Sequence, residues 1–312
     1  MVAASLGLDP AQVLDLSLSL NPFAPDPTPV VWRHLAGGVL GRYPDRAEHE
    51  AATTELAAVL GVDPRRVLLT NGGAEAIALV AGELGRGWVD EPDFSLYWRH
   101  IAVRDPTGPR FRSDPHNPSG RLAPAGARAE VWDEAFYPLA TGVWSAPGRW
   151  SDSVVLGSLT KVLACPGLRI GYVVVPDDDG ADLGAPGLMA RLARRQPAWS
   201  VGPLALAALP ELLASADLSK WARALTEARQ ELLTVLVAHG LTPLASDANF
   251  VLVPGVPGLR VALAHQGVVV RDCASFGLPD HVRIAVPDGT GLARLDGALT
   301  RCASQKPPLE ER

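Results

Sequence analysis

The sequence is 312 residues long, 47% hydrophobic and 20% charged, with a formal net charge of −6; that is enough chain for a large domain with a smaller one beside it, or for two domains. An acidic balance without a basic stripe of interleaved aromatics argues against nucleic acid as a partner, and no stretch reaches the roughly 18 apolar residues of a membrane span. Three cysteines without CxxC spacing argue against a disulfide framework and a zinc site. The first six residues lack the basic-then-apolar pattern of a leader, so a reducing, cytoplasmic setting is expected.

In chain order, a short helical stretch and Val13–Ser17 come first. A Pro-rich segment from Asn21 to Pro29 then breaks regular structure. Arg42-Tyr43-Pro44-Asp45 follows an amphipathic helix, residues 47–60 form a second helix, and residues 66–70 form a short buried strand. Asn71-Gly72-Gly73-Ala74 turns that strand into a helix. Free N–H groups and the positive end of the helix dipole make this turn an anion site. Pro92-Asp93-Phe94-Ser95-Leu96-Tyr97 follows, then an Arg- and Pro-rich segment over 98–113, then Asp114-Pro115-His116-Asn117-Pro118-Ser119-Gly120. That last run is at the least a turn. Residues 129–136 form a strand ending in Asp133 and Glu134. A carboxylate at a parallel strand's C-terminal end faces the usual ligand side of an α/β sheet.

The stretch from Ser158 to Tyr172 is the most informative. All but three of the 28 Lys and Arg residues are arginine, yet Lys161 stands between an apolar strand and a Pro-Gly-Leu-Arg turn. A desolvated lysine amine condenses with carbonyls and an arginine does not. Ser158, Thr160 and Arg169 add hydroxyls and a guanidinium, the donors a phosphate needs. An aldehyde carrying a phosphate, namely pyridoxal phosphate, is the group these residues describe. Beyond it, residues 170–175 form a buried strand, 189–195 a basic helix and 212–239 a largely helical stretch. Residues 247–253, 268–271 and 281–286 are further strands, and 305–312 is a charged tail expected to be disordered.

Together these motifs, in this order, resemble the pyridoxal phosphate-dependent aminotransferase superfamily of fold type I. The likeness is to the branch that holds histidinol-phosphate aminotransferases and cobalamin-pathway threonine-phosphate decarboxylases. The resemblance implies an α/β fold with a large cofactor domain at 31–214, its mainly parallel sheet between helices. It implies a smaller α+β domain from 1–30 and 215–304. Residues 98–113 are short for such a chain, so one βα unit is expected to be missing and the sheet to be smaller. The start is expected to be shortened as well, lacking a His-Gly-Gly segment.

By the same resemblance, Lys161 holds the cofactor and Asp133 pairs with its ring nitrogen. Gly73, Ala74, Ser158, Thr160 and Arg169 cradle its phosphate. Tyr97 stacks on its ring and Asn117 meets its phenolic oxygen. Tyr43 reaches the partner's cofactor phosphate across a homodimer. Asn21 lies near the substrate carboxylate and Arg283 anchors it, a planar guanidinium binding a carboxylate through paired hydrogen bonds. The loop from Gln196 to Gly202 lines the substrate entrance. Phe136 stands where aminotransferases often carry Tyr, as in many threonine-phosphate decarboxylases. The implied activity is decarboxylation of L-threonine O-3-phosphate. A histidinol-phosphate type aminotransferase is the alternative, and a catalytically silent binding dimer a third reading.

Overall fold

A computed structural model describes residues 9, 12–177 and 186–304; the expected tail at 305–312 lies outside the described residues. Chain order begins with strand β1 (Leu14–Leu16), helix α1 (Thr28–Ala36) and helix α2 (Arg46–Leu60). A capping box starts α2: the Asp45 side chain accepts the Glu48 N–H, and Glu48 reaches back to the Asp45 N–H. Gly61, in the left-handed region, stops the helix. Next come β2 (Val67–Asn71), α3 (Gly72–Leu84), β3 (Arg86–Val89), α4 (Leu96–His100), β4 (Val103–Arg104), β5 (Arg110–Ser113) and β6 (Val131–Asp133). Short helices α5 (Tyr137–Thr141) and α6 (Arg149–Asp152) precede β7 (Val154–Ser158), α7 (Leu159–Val162) and β8 (Ile170–Val174). Helices α8 (Leu188–Arg195), α9 (Pro203–Ala214) and α10 (Leu218–Ala238) lead to β9 (Phe250–Val253) and α11 (Leu259–His265). The described chain closes with β10 (Val268–Asp272), β11 (Val282–Ala285) and α12 (Gly289–Ser304).

Two sheets organise these elements. The larger has the order β2-β8-β7-β6-β5-β3-β4, parallel except for β8, which runs antiparallel to both neighbours. The smaller has the order β1-β10-β11-β9, so the N-terminal strand pairs in parallel with one from the far end of the chain, Leu14 opposite Val268. One apolar cluster runs from Leu56, Val155 and Leu206 through Leu225 and Leu232 to Val251, Ile284 and Leu295, joining both sheets. A second, with Ile77, Val80, Phe111, Leu156 and Leu192, fills the space under α3 and α8. β7 and β8 are buried along their whole length, which is why they are written as near-continuous apolar runs.

In the short segment at 98–113, β4 is two residues on the edge beside β3, and a turn stapled by Asp105 leads straight into β5 with no helix between. The sheet has seven strands, with β4 at its edge. The helical stretch expected at 212–239 is two helices, α9 and α10, broken at residues 215–217. The Asp217 side chain caps the second by accepting the Lys220 N–H.

Candidate active site

The C-terminal ends of β5, β6 and β7 and the start of α3 converge on Lys161. Behind them, glycines let backbone touch backbone. A Cβ at Gly171 would lie 2.5 Å from the Gly72 carbonyl carbon and 2.6 Å from the Gly73 nitrogen, so the first turn of α3 rests directly on β8. At Gly157 a Cβ would fall 2.0 Å from the Tyr172 ring, its register partner in β8. The N-terminus of α3 is thereby pressed against the strand that delivers Ser158. A Cβ on Gly73 would stand 3.3 Å from that of Ser158.

Ser158 and Thr160 share a hydroxyl hydrogen bond of 2.8 Å. The Arg169 guanidinium lies over Gly72 so closely that a Cβ there would sit 2.5 Å from Nη2. Open N–H groups at a helix start, two hydroxyls and a guanidinium form one anion cradle, which fits the phosphate of pyridoxal phosphate. Gly73, Ser158, Thr160 and Arg169 are brought together here, and Ala74 stands exposed in the same first turn.

Lys161 sits on α7 just past that cradle, and its Nζ donates to the Leu18 carbonyl at 2.8 Å. Burial first, then the charges of Arg283, Arg169 and Arg271, push the amine down to about 8. A free amine is the nucleophile toward an aldehyde. Attachment of pyridoxal phosphate to Lys161 is therefore expected to accelerate about tenfold per pH unit up to about pH 8 and level off above it. Absorbance kinetics on cofactor-free protein check this, and a rise continuing to the ordinary lysine value of about 10.4 would overturn it.

Asp133 ends β6. Its Oδ2 accepts the Tyr97 hydroxyl at 2.9 Å and its Oδ1 the Ala135 N–H at 3.1 Å. Burial raises it to about 6. A buried carboxylate with raised proton affinity is a strong partner for a pyridinium N–H. Tyr97 is fully enclosed, edge-on to Phe94 and tilted against Phe111. Its ring has no exposed face here, and what it contributes is its hydroxyl.

Arg283 and Asn117 form one unit: Arg283 Nη1 donates to Asn117 Oδ1 at 2.5 Å. The guanidinium lies 4.4 Å from the Phe250 ring centroid and 5.9 Å from that of Phe136, while Nε has no hydrogen-bond partner among the described residues. The fork keeps donors for a carboxylate. Asn21 is used differently: its Nδ2 donates to the Val162 carbonyl, its Oδ1 accepts the Phe23 N–H, and its own N–H donates to the Lys161 carbonyl. It clips the N-terminal segment to the turn carrying Lys161. Tyr43 is 73% exposed and rests on Trp199, 63% exposed, at 4.8 Å between ring centroids. The loop behind Trp199 is tied to the cradle, with Asn71 Nδ2 donating to the Ser200 carbonyl and Ser200 Oγ to Glu75.

Sequence reasoning missed Arg271. It stands opposite Arg283 in the antiparallel register of β10 and β11, and its charge reaches Lys161. The signal was an arginine ending the Val268-Val269-Val270 run. It also missed Asp93, Ser113 and Arg149. Glu134, which ends the strand beside Asp133, is buried in an ion pair with Arg149.

The family model for aminotransferase class I and II matches residues 113–299. A histidinol-phosphate aminotransferase of Halorubrum lacusprofundi is 31% identical, covering 96% of this chain and 92% of its own. The histidinol-phosphate aminotransferase of Sinorhizobium meliloti, solved in complex with pyridoxal-5'-phosphate, superposes with a TM-score of 0.80 at 20% identity, covering 97% of this chain and 93% of that one. The L-threonine-O-3-phosphate decarboxylase of Porphyromonas gingivalis gives 0.77 at 21% identity, covering 94% and 100%.

Proposed function

As this chain belongs to the class I and II aminotransferase family and is a pyridoxal phosphate-dependent enzyme, we propose that it acts on a small amino-acid phosphate. In the reading we favour it removes carbon dioxide from L-threonine O-3-phosphate, leaving (R)-1-aminopropan-2-yl phosphate. The observation that carries the substrate class is the Arg271–Arg283 pair, two guanidiniums in register beside Lys161. One suits a carboxylate and the other a phosphate. Lys161, Ser158, Thr160 and Arg169 would hold the cofactor, with Asp133 at its ring nitrogen.

Bound pyridoxal phosphate supplies an electron sink for a bond broken at the substrate Cα. This chain's residues decide which bond that is. Arg283, braced on Asn117, orients the carboxylate. A neutral Lys161 amine, favoured above about pH 8, can hold or move a proton at Cα. Support for decarboxylation comes from Phe136, which packs edge-on against Phe250 beneath Arg283 and offers no hydroxyl there. The histidinol-phosphate aminotransferase reading is favoured instead by the 31% identical relative of that name.

Product analysis separates them. Loaded enzyme with L-threonine O-3-phosphate should yield carbon dioxide and an aminopropanol phosphate. A keto product with pyridoxamine phosphate would sink the decarboxylase reading, and failure of loaded protein to show a lysine-bound chromophore would favour a silent homologue. The exposed Tyr43–Trp199 stack, with Trp32 and Leu40 also exposed, supports a homodimer in which Tyr43 reaches the partner's site. Sedimentation equilibrium reads this directly, a monomer at micromolar concentration counting against it.

A further inference from the structure

Asp93 is a buried carboxylate, 7% exposed, that no role described so far uses. Three donors close on it: the Phe94 N–H at 2.7 Å, the Ser113 N–H at 3.0 Å and the Ser113 hydroxyl. Since that hydroxyl gives its proton to Asp93, its oxygen is left as an acceptor. It takes the Asn117 N–H at 2.8 Å and lies near the Tyr97 hydroxyl, whose own proton goes to Asp133. Asn117 in turn holds Arg283, and Tyr97 donates to Asp133. Asp93 thus reaches Arg283 through Ser113 and then Asn117, and Ser113 also stands beside the Tyr97 hydroxyl that donates to Asp133.

A neutral residue could satisfy the same backbone donor, and burying a carboxylate is unfavourable unless its charge is used. His116 lies on the other side, its ring bonded to Ser119 and the Pro92 carbonyl. A cleft of about 270 Å³, lined by Glu91, Asp93, Arg112, His116 and Arg121 among others, opens there. His116, Tyr97 and Asp133 are the titratable groups whose fields act with that of Asp93, and Glu91, Arg112 and Arg121 line the cleft.

We propose that Asp93 is a positioning residue of the catalytic centre, fixing the Ser113 hydroxyl so that Asn117 with Arg283, and Tyr97 with Asp133, stand in their working places. Its charge acts in the same direction as burial, the main cause, in keeping Asp133 avid for a proton. The role is independent of which Cα bond the enzyme breaks.

The test is Asp93→Asn in the full chain, read in two ways. Carbon-13 NMR of labelled aspartate in cofactor-free protein, with Asp133→Asn assigning the signal, follows the Asp133 titration. Absorbance titration gives the affinity for pyridoxal phosphate. The Asp133 midpoint is expected to move down from about 6, and the affinity to fall about tenfold, the scale of one charge-assisted hydrogen bond. An unmoved midpoint overturns the proposal, even with weakened affinity, because a mere structural brace would give that result. Should Asp93→Asn fail to fold, Ser113→Ala cuts the same link and is read the same way. Losing its hydroxyl donor makes Asp93 easier to protonate, so the midpoint again falls.

Discussion

Lys161→Ala is expected to lose turnover by at least about 10³-fold, because in the role we propose one amine both anchors the cofactor and serves as the acid–base group at Cα. Lys161→Arg should do no better. A guanidinium stays charged at any working pH and does not condense with an aldehyde. The loss should come without unfolding. Burial, with three arginines adding to it, pushes the Lys161 amine down from 10.5 to about 8. The sign follows: below about pH 8 the folded protein holds a charge it disfavours, so removing the side chain cannot lower stability through that charge. The variant should melt no lower than the parent at neutral pH. Turnover assays with calorimetry on the same preparation decide this. Residual activity within about tenfold of the parent would remove Lys161 from the centre.

Arg149→Met should destabilise the fold by about 3–5 kcal/mol, the scale of breaking a buried ion pair from one side. Arg149 bridges Glu134 and Asp114, both almost fully buried, at 2.8 Å from Asp114, and lies 3.9 Å from the Trp132 ring centroid. Methionine keeps much of the apolar stem, so the loss isolates the charge. Two unpaired carboxylates would remain. Burial already holds Glu134 up at about 7 against the pull of Arg149, and without Arg149 it rises further. The deficit should therefore be largest above neutral pH and shrink as Glu134 takes up a proton in acid. A fall in melting temperature on the order of 10 °C is expected, much of it restored by adding Asp114→Asn and Glu134→Gln. A shift under about 1 kcal/mol at neutral pH would show that the pair is not needed. Because Asp114 and Glu134 lie close in sequence to Asn117 and Asp133, cofactor affinity should fall too.

What could be read from the sequence was chemistry concentrated in short runs. Lys161 stood out because the chain uses almost no lysine, and Gly72–Gly73 because a strand turned into a helix there. Arg271 was visible only as an arginine ending an apolar run, because its meaning lies in strand register: pairing with β11 places it opposite Arg283. Asp93 and Ser113 are 20 positions apart, and nothing local links them. Asn21 and Tyr97 were legible as site neighbours, but their hydrogen bonds depend on how the chain closes around Lys161. The residues 98–113 were visibly short, yet sequence could not say that two of them still pair as an edge strand.

The parallel pairing of β1 with β10 has a kinetic side. Leu14 and Val268 are partners across most of the length of the described chain, and such distant contacts are slow to form. The segment after β1 supplies the Leu18 carbonyl that meets Lys161, and Arg271 and Arg283 lie on the strands that complete the same sheet. On the ribosome, the cofactor cradle can therefore assemble while the N-terminal segment still waits for its partner. The anchor proposed for the substrate is finished only once β10 and β11 have been made and paired. Cofactor capture and substrate competence are then successive events in the life of each molecule, and a chain truncated before β10 would be expected to retain the first without reaching the second.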